Sequence, residues 1–204
     1  MAVSLPVNTK KAVVRVGSGG RGFVVGTDHS RFVITAAHCV PPDRLPTPHP
    51  GNGSSELTFQ DVIGPLGKRA KQKIWGELCA FSLTDDIAMF SEPDNQEISD
   101  QYDAYLEFMD GRPALKIGAP SAAQSPDGWV LSLDGIWKPC TVHTANNGRF
   151  LSTRGAKIEG GMSGSPILNA HGDAIGLIST AEVHPILSGC LPPWLQRLIA
   201  DAAA

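Results

Sequence analysis

Apolar residues along this chain gather in short runs rich in β-branched and aromatic side chains, each closed by Gly, Pro, Asn or Asp. Such runs read as strands. They fall at residues 12–16, 23–26, 32–35, 57–63 and 87–90 in the first half, and at 128–133, 140–144, 166–168 and 174–180 in the second. Asp28-His29-Ser30 and residues 169–173 read as turns between runs, and residues 41–55, with five prolines, as a surface loop. Residues 192–199 break the rhythm and predict a short helix. Proline is tolerated in its first turn, and the pairs Trp194/Leu198 and Leu195/Ile199 are spaced i, i+4. Residues 92–110 carry seven acidic and no basic residues and read as a partly helical linker. No internal repeat is visible.

Composition sharpens the fold class. The chain's 204 residues, 42% hydrophobic, suffice for one large or two small cores. Its 22 glycines and 16 prolines favour turns over long helices, hence an all-β protein. A net charge of −3 gives no reason to expect nucleic acid or an anionic membrane. No run approaches the roughly 18 apolar residues that a bilayer span needs. The N-terminus lacks the basic and apolar regions of a signal peptide, so a cytoplasmic location is expected. The basic run Lys68, Arg69, Lys71 and Lys73 reads as a solvated strand face, and Asn52-Gly53-Ser54 as a loop sequence. Gly17-Ser18-Gly19-Gly20-Arg21-Gly22 fits G-x-G-x-x-G, but it leads into a strand and not a helix, which argues against a dinucleotide.

Chemistry concentrates in Gly160-Gly161-Met162-Ser163-Gly164-Ser165-Pro166-Ile167. A serine between glycines, just before a strand, suits a nucleophile, and the N–H groups of Gly161 and Ser163 are placed to converge on an oxyanion. A serine hydroxyl needs a base, and the base an orienting group. His38 comes after the 32–35 strand, and Asp86 precedes the 87–90 strand. Strand alternation would turn Asp85 to the opposite face from Asp86.

Thr35-Ala36-Ala37-His38-Cys39, Asp86-Ile87-Ala88-Met89 and Gly161-x-Ser163-Gly164-Ser165-Pro166, in the order His, Asp, Ser, resemble the trypsin-like (chymotrypsin-fold) serine proteases. The resemblance spans nearly the whole chain and is nearest to the high-temperature-requirement and glutamyl-endopeptidase-like bacterial branch. It implies two six-stranded antiparallel Greek-key barrels with a C-terminal helix. Residues 1–104 would form the first barrel with its linker, and 105–204 the second barrel and the helix, together one protease domain. Residues 74–81 and 86–90 resemble the paired strands that carry the Asp, and 114–120 the opening strand of the second barrel.

By this resemblance Ser163 is the nucleophile, His38 the general base, Asp86 its orienting carboxylate, and Gly161 and Ser163 the oxyanion hole. Ser165 takes the place of a structural glycine. The pocket for the residue before the cut would be lined by Lys157, Ile158, Ser179, Thr180, Ala181, Ser188, Gly189 and Cys190. Trypsin's acidic pocket residue is missing and Lys157 lies near its position. Glutamyl endopeptidases place a His where Ile178 falls. A small or apolar residue before the cut is expected, with an acidic one drawn by Lys157 as the runner-up. Secreted relatives often bridge the Cys after the catalytic His to an earlier Cys. Here residues 20–23 hold none, so Cys39, Cys79, Cys140 and Cys190 are read as reduced.

Trypsin has an Asp before its nucleophile that pairs with a newly cut amine; here Met162 stands there, so no such activation is expected. No metal or cofactor is implied. The partners implied are a protein or peptide substrate, with room for a regulatory partner domain or protein. The alternatives are a catalytically silent peptide-binding module of the same fold, and a protease domain within a larger signalling or defence protein.

Overall fold

The computed structural model describes residues 5, 8–27, 30–41, 45, 57–67, 73–118, 125–145, 150–154, 156–179 and 187–201. Among these residues twelve strands form two closed antiparallel barrels. The first comprises β1 (Val13–Val16), β2 (Gly20–Gly26), β3 (Arg31–Thr35), β4 (Leu57–Gly64), β5 (Ile74–Ser82) and β6 (Ile87–Ser91), in the order 1-2-3-6-5-4. The second comprises β7 (Ser125–Leu131), β8 (Trp137–Ala145), β9 (Phe150–Arg154), β10 (Pro166–Asn169), β11 (Ala174–Leu177) and β12 (Leu187–Cys190), in the order 7-8-9-12-11-10. The same order recurs in both halves, a repeat of topology without a repeat of sequence. The all-β, two-barrel architecture is the one the resemblance implied.

Both faces of the strands around His38 are buried, which is why they read as unbroken apolar runs rather than alternating ones. In β6, Ala88 and Phe90 enter the core of the first barrel, while Ile87 and Met89 enter a second cluster. In β3, Val33 faces the barrel core and Phe32 and Ile34 the second cluster; β2 divides likewise at Val24 against Phe23 and Val25. That second cluster also holds Leu168, Ala174, Leu177, Leu191 and Leu195, so it is the apolar seam between the barrels. β5, by contrast, alternates between buried and half-buried positions: Ile74 and Leu78 enter the first-barrel core, and past an irregularity in pairing Ala80 joins the second cluster.

The linker forms helix α1 (Ser99–Met109), whose Tyr105, Phe108 and Met109 pack on the first-barrel core. The division expected between residues 104 and 105 falls inside it. Residues 114–118 are not the opening strand of the second barrel. Leu115 makes a single parallel bridge to Val25 in β2 and Ile117 another to Ala174 in β11, so the segment stitches the two barrels together. The two remaining places in the second barrel are filled by β9 and β12, whose polar and glycine-containing sequences carry no apolar run. The C-terminal helix α2 (Pro193–Asp201) buries Leu195 with Ile199 and Trp194 against the seam, whereas Leu198 is exposed. Of the loop expected at 41–55, residues 42–44 and 46–55, Asn52 among them, lie outside the described residues, as do Lys68, Arg69 and Lys71; Lys73 pairs with Asp61 at 3.1 Å. All four cysteines are free.

Candidate active site

His38 sits in a single 3-10 turn (Ala37–Cys39) directly after β3. Asp86 sits in the turn before β6, at a left-handed φ of 53°. It is this turn, not strand alternation, that separates Asp86 from Asp85, whose carboxylate accepts instead from Ser82 Oγ at 2.9 Å and from Trp194 Nε1 at 3.4 Å. Asp86 Oδ2 lies 2.8 Å from His38 Nδ1, and its Oδ1 accepts the His38 backbone N–H at 3.0 Å. The Asp86 carbonyl accepts from Ala37 N at 3.1 Å. The start of the histidine turn and the imidazole itself are thus anchored on one residue.

Ser179, expected in the substrate pocket, is used elsewhere. Its hydroxyl donates to Asp86 Oδ2 at 2.5 Å, across the barrel boundary. Burial alone would push the Asp86 carboxyl up, but hydrogen bonds from His38 and Ser179 outweigh it and hold the group below its ordinary value. His38 in turn is raised from 6.5 to about 10, chiefly through the Asp86 hydrogen bond and then through Cys39, against a lowering by burial.

The serine turn is pinned from several sides. Met162 N donates to Glu159 O at 3.1 Å, Ser165 N to Met162 O at 2.9 Å, Gly164 N to Ile178 O at 2.7 Å, and Ile178 N to Ser165 O at 2.9 Å. The Ser163 carbonyl accepts from Arg21 N at 2.8 Å and from the Cys39 thiol at 3.6 Å. Gly161 has φ 88° and Gly164 φ 80°. At Gly164 a Cβ would lie 1.9 Å from Arg21 O, so no other residue fits. Met162 is fully buried in the second-barrel core with Val130, Ile167, Ile175 and Ile178. Ser165 is equally buried, and its hydroxyl has no partner among the described residues.

His38 and Ser163 line one open cleft of about 330 Å³, together with Cys39, Gly19, Gly20 and Gly161. Of the residues expected around the substrate, Lys157 is exposed, pairs with Glu159 at 2.7 Å and lines a separate cavity of about 440 Å³ with Leu133, Asp134 and Lys138. Ile158 and Cys190 pack against the second-barrel core. Ser188 and Gly189 belong to β12, and Thr180 and Ala181 lie outside the described residues. Among the described residues no cluster of His, Cys, Asp and Glu is arranged to hold a metal ion. No helix among them is long and apolar enough to cross a membrane.

A cleft lined from both halves of a double antiparallel barrel, with an Asp-anchored histidine and a serine on a glycine turn, defines the chymotrypsin-like protease class. Residues 20–177 match the family described as trypsin-like peptidase domain; the chain belongs to that family and is a trypsin-like serine protease. Among solved structures it is similar to the serine protease of a human pathogenic astrovirus, at 14% identity and TM-score 0.56 over 91% of this chain and 92% of that one. The Rv3671c protease of M. tuberculosis, in its inactive form, matches at 17% identity and TM-score 0.55 over 96% and 91%. The MamO protease domain of Magnetospirillum magneticum matches at 15% and 0.55 over 97% and 98%. At these identities the similarity is one of fold. No curated protein matches the sequence.

Proposed function

We propose that this protein is an endopeptidase working through an acyl-enzyme, with Ser163 as nucleophile, His38 as general base and acid, and Asp86 as the group that orients and stabilises the imidazolium. The observation that carries this is the 2.8 Å contact of His38 Nδ1 with Asp86 Oδ2, in a cleft that His38 shares with Ser163. With Nδ1 bound to Asp86, Nε2 is the nitrogen left to take the serine proton. Ser163 Oγ adds to the scissile carbonyl as that proton passes to His38, and the imidazolium returns it to the leaving amine. Water then repeats the sequence to release the acid and the free serine. The N–H groups of Gly161 and Ser163 receive the oxyanion, each contributing about 3–4 kcal/mol to the barrier reduction. Among the described residues, the Gly161 N–H makes no hydrogen bond that would compete.

The residue before the cut is proposed to be small or apolar, because Lys157 is tied to Glu159 and faces a different cavity. With Met162 in an apolar core, the turn is proposed to need no cleaved N-terminus. Ser165 beside the nucleophile supports a place near the high-temperature-requirement and glutamyl-endopeptidase-like branch. The test is covalent labelling by a fluorophosphonate probe together with hydrolysis of fluorescein-casein. Both are expected in the native chain and absent in Ser163→Ala; a variant still labelled, or a native chain that never reacts, defeats the assignment and leaves a silent peptide-binding module.

A further inference from the structure

Among the described residues Arg21 is the only buried charged side chain. It interrupts β2 between Gly20 and Gly22, in a strand that is otherwise apolar. Removing a guanidinium from water is costly unless its donors are met. Arg21 Nη1 meets Leu131 O at 2.8 Å and Ser132 O at 3.2 Å, so a cation from the first barrel is bound by carbonyls at the end of β7 in the second. The charge of Asp134, in the adjoining turn, offsets part of the burial that pulls the guanidinium pKa down.

The Arg21 main chain is engaged as well. Its N–H donates to Ser163 O at 2.8 Å and its carbonyl accepts from Thr35 Oγ1 at 2.6 Å. The turn it grips at 132–136 is closed by Ser132 N to Ile136 O at 3.0 Å and Ser132 Oγ to Ile136 O at 2.6 Å. This turn carries Leu133, whose Cδ2 is 3.6 Å from where a Cβ on Gly161 would stand. One residue therefore touches the nucleophile's own carbonyl and also holds the wall beside Gly161.

Resting on the assignment of Ser163 as nucleophile, we propose that Arg21 is a positioning residue: its guanidinium, bound to the carbonyls of Leu131 and Ser132, clamps the 132–136 turn against Gly161 and keeps the two oxyanion N–H groups convergent. Met162, being apolar, offers no ion pair for that task. The clamp acts from the opposite barrel, so it also ties the oxyanion turn to the barrel that carries His38.

The test uses the full chain with Arg21→Met and Arg21→Lys. It measures p-nitrophenyl acetate turnover, inhibition by phenylboronic acid, and thermal melting. Phenylboronic acid reports the oxyanion site because its boron accepts the Ser163 oxygen and becomes tetrahedral. Arg21→Met is expected to lower kcat about 100-fold, the scale of one lost oxyanion donor, with KM little changed and boronate affinity falling with kcat/KM. Arg21→Lys, which keeps a cation for one carbonyl, is expected to lose only about 10-fold. Native kcat below the melting range in Arg21→Met, or a loss of kcat without loss of boronate affinity, overturns the clamp. If Arg21→Met does not fold, Arg21→Lys decides: lowered kcat at an unchanged melting temperature supports it, and native kcat overturns it. Ser163→Ala is run beside them. Its continued turnover would end the nucleophile assignment itself, whereas an inert Ser163→Ala with fully active Arg21 variants would end only the clamp.

Discussion

His38 carries opposite demands. Its hydrogen bond to Asp86 favours the imidazolium and raises the ring to about 10, yet the general-base role proposed for it needs the neutral ring. Hydrolysis is therefore expected to rise with pH, with the rising limb of kcat/KM above the ordinary 6.5, as a pH–rate profile would record. Stability runs the other way. Since the folded value is raised, the imidazolium's contribution is complete below about 6.5 and is lost as pH climbs from there through about 10, which melting across that window would measure. Asp86→Asn removes the chief cause of the shift. It is expected to move the limb down towards 6.5 while costing on the order of 10⁴ in kcat, because the ring's tautomer is no longer held. Ser179→Ala removes one hydrogen bond to the carboxylate and is expected to cost roughly tenfold in kcat, the scale of one charge-assisted bond.

At the level of elements, the serine turn depends on backbone shape more than on side chains. Gly164 is left-handed and pressed against Arg21 O and Thr35 Oγ1, so Gly164→Ala demands both a strained φ and a displaced β2. It is expected to destabilise the chain by more than about 3 kcal/mol by denaturant unfolding, with labelling lost even where the chain still folds. The glycines and the order of the three motifs were readable along the chain because such turns admit few residue types. β9 and β12 were not, since their pairing comes from neighbours and not from an apolar run. Residues 114–118 misled for the converse reason: an apolar stretch served as a stitch between barrels.

For the whole molecule, the seam joins the barrels into one folding unit. Leu195 of α2, near the C-terminus, is fully buried among residues of both. Leu195→Ala is expected to cost about 2–5 kcal/mol and to shift a single calorimetric transition downward without splitting it. Two resolved transitions would mean that the barrels melt separately. The cleft inherits this unity, because His38 comes from one barrel, Ser163 from the other, and Ser179 and Arg21 reach across.

By itself the sequence determined the β class, the candidate nucleophile, base and carboxylate, and the glycine turn, because each is written locally in residue type and order. Only the tertiary structure decided that Ser179 serves Asp86, that Lys157 faces away towards Glu159, and that a buried arginine spans the barrels. Those facts depend on which distant carbonyl or carboxylate a side chain meets after closure, and no local pattern encodes that.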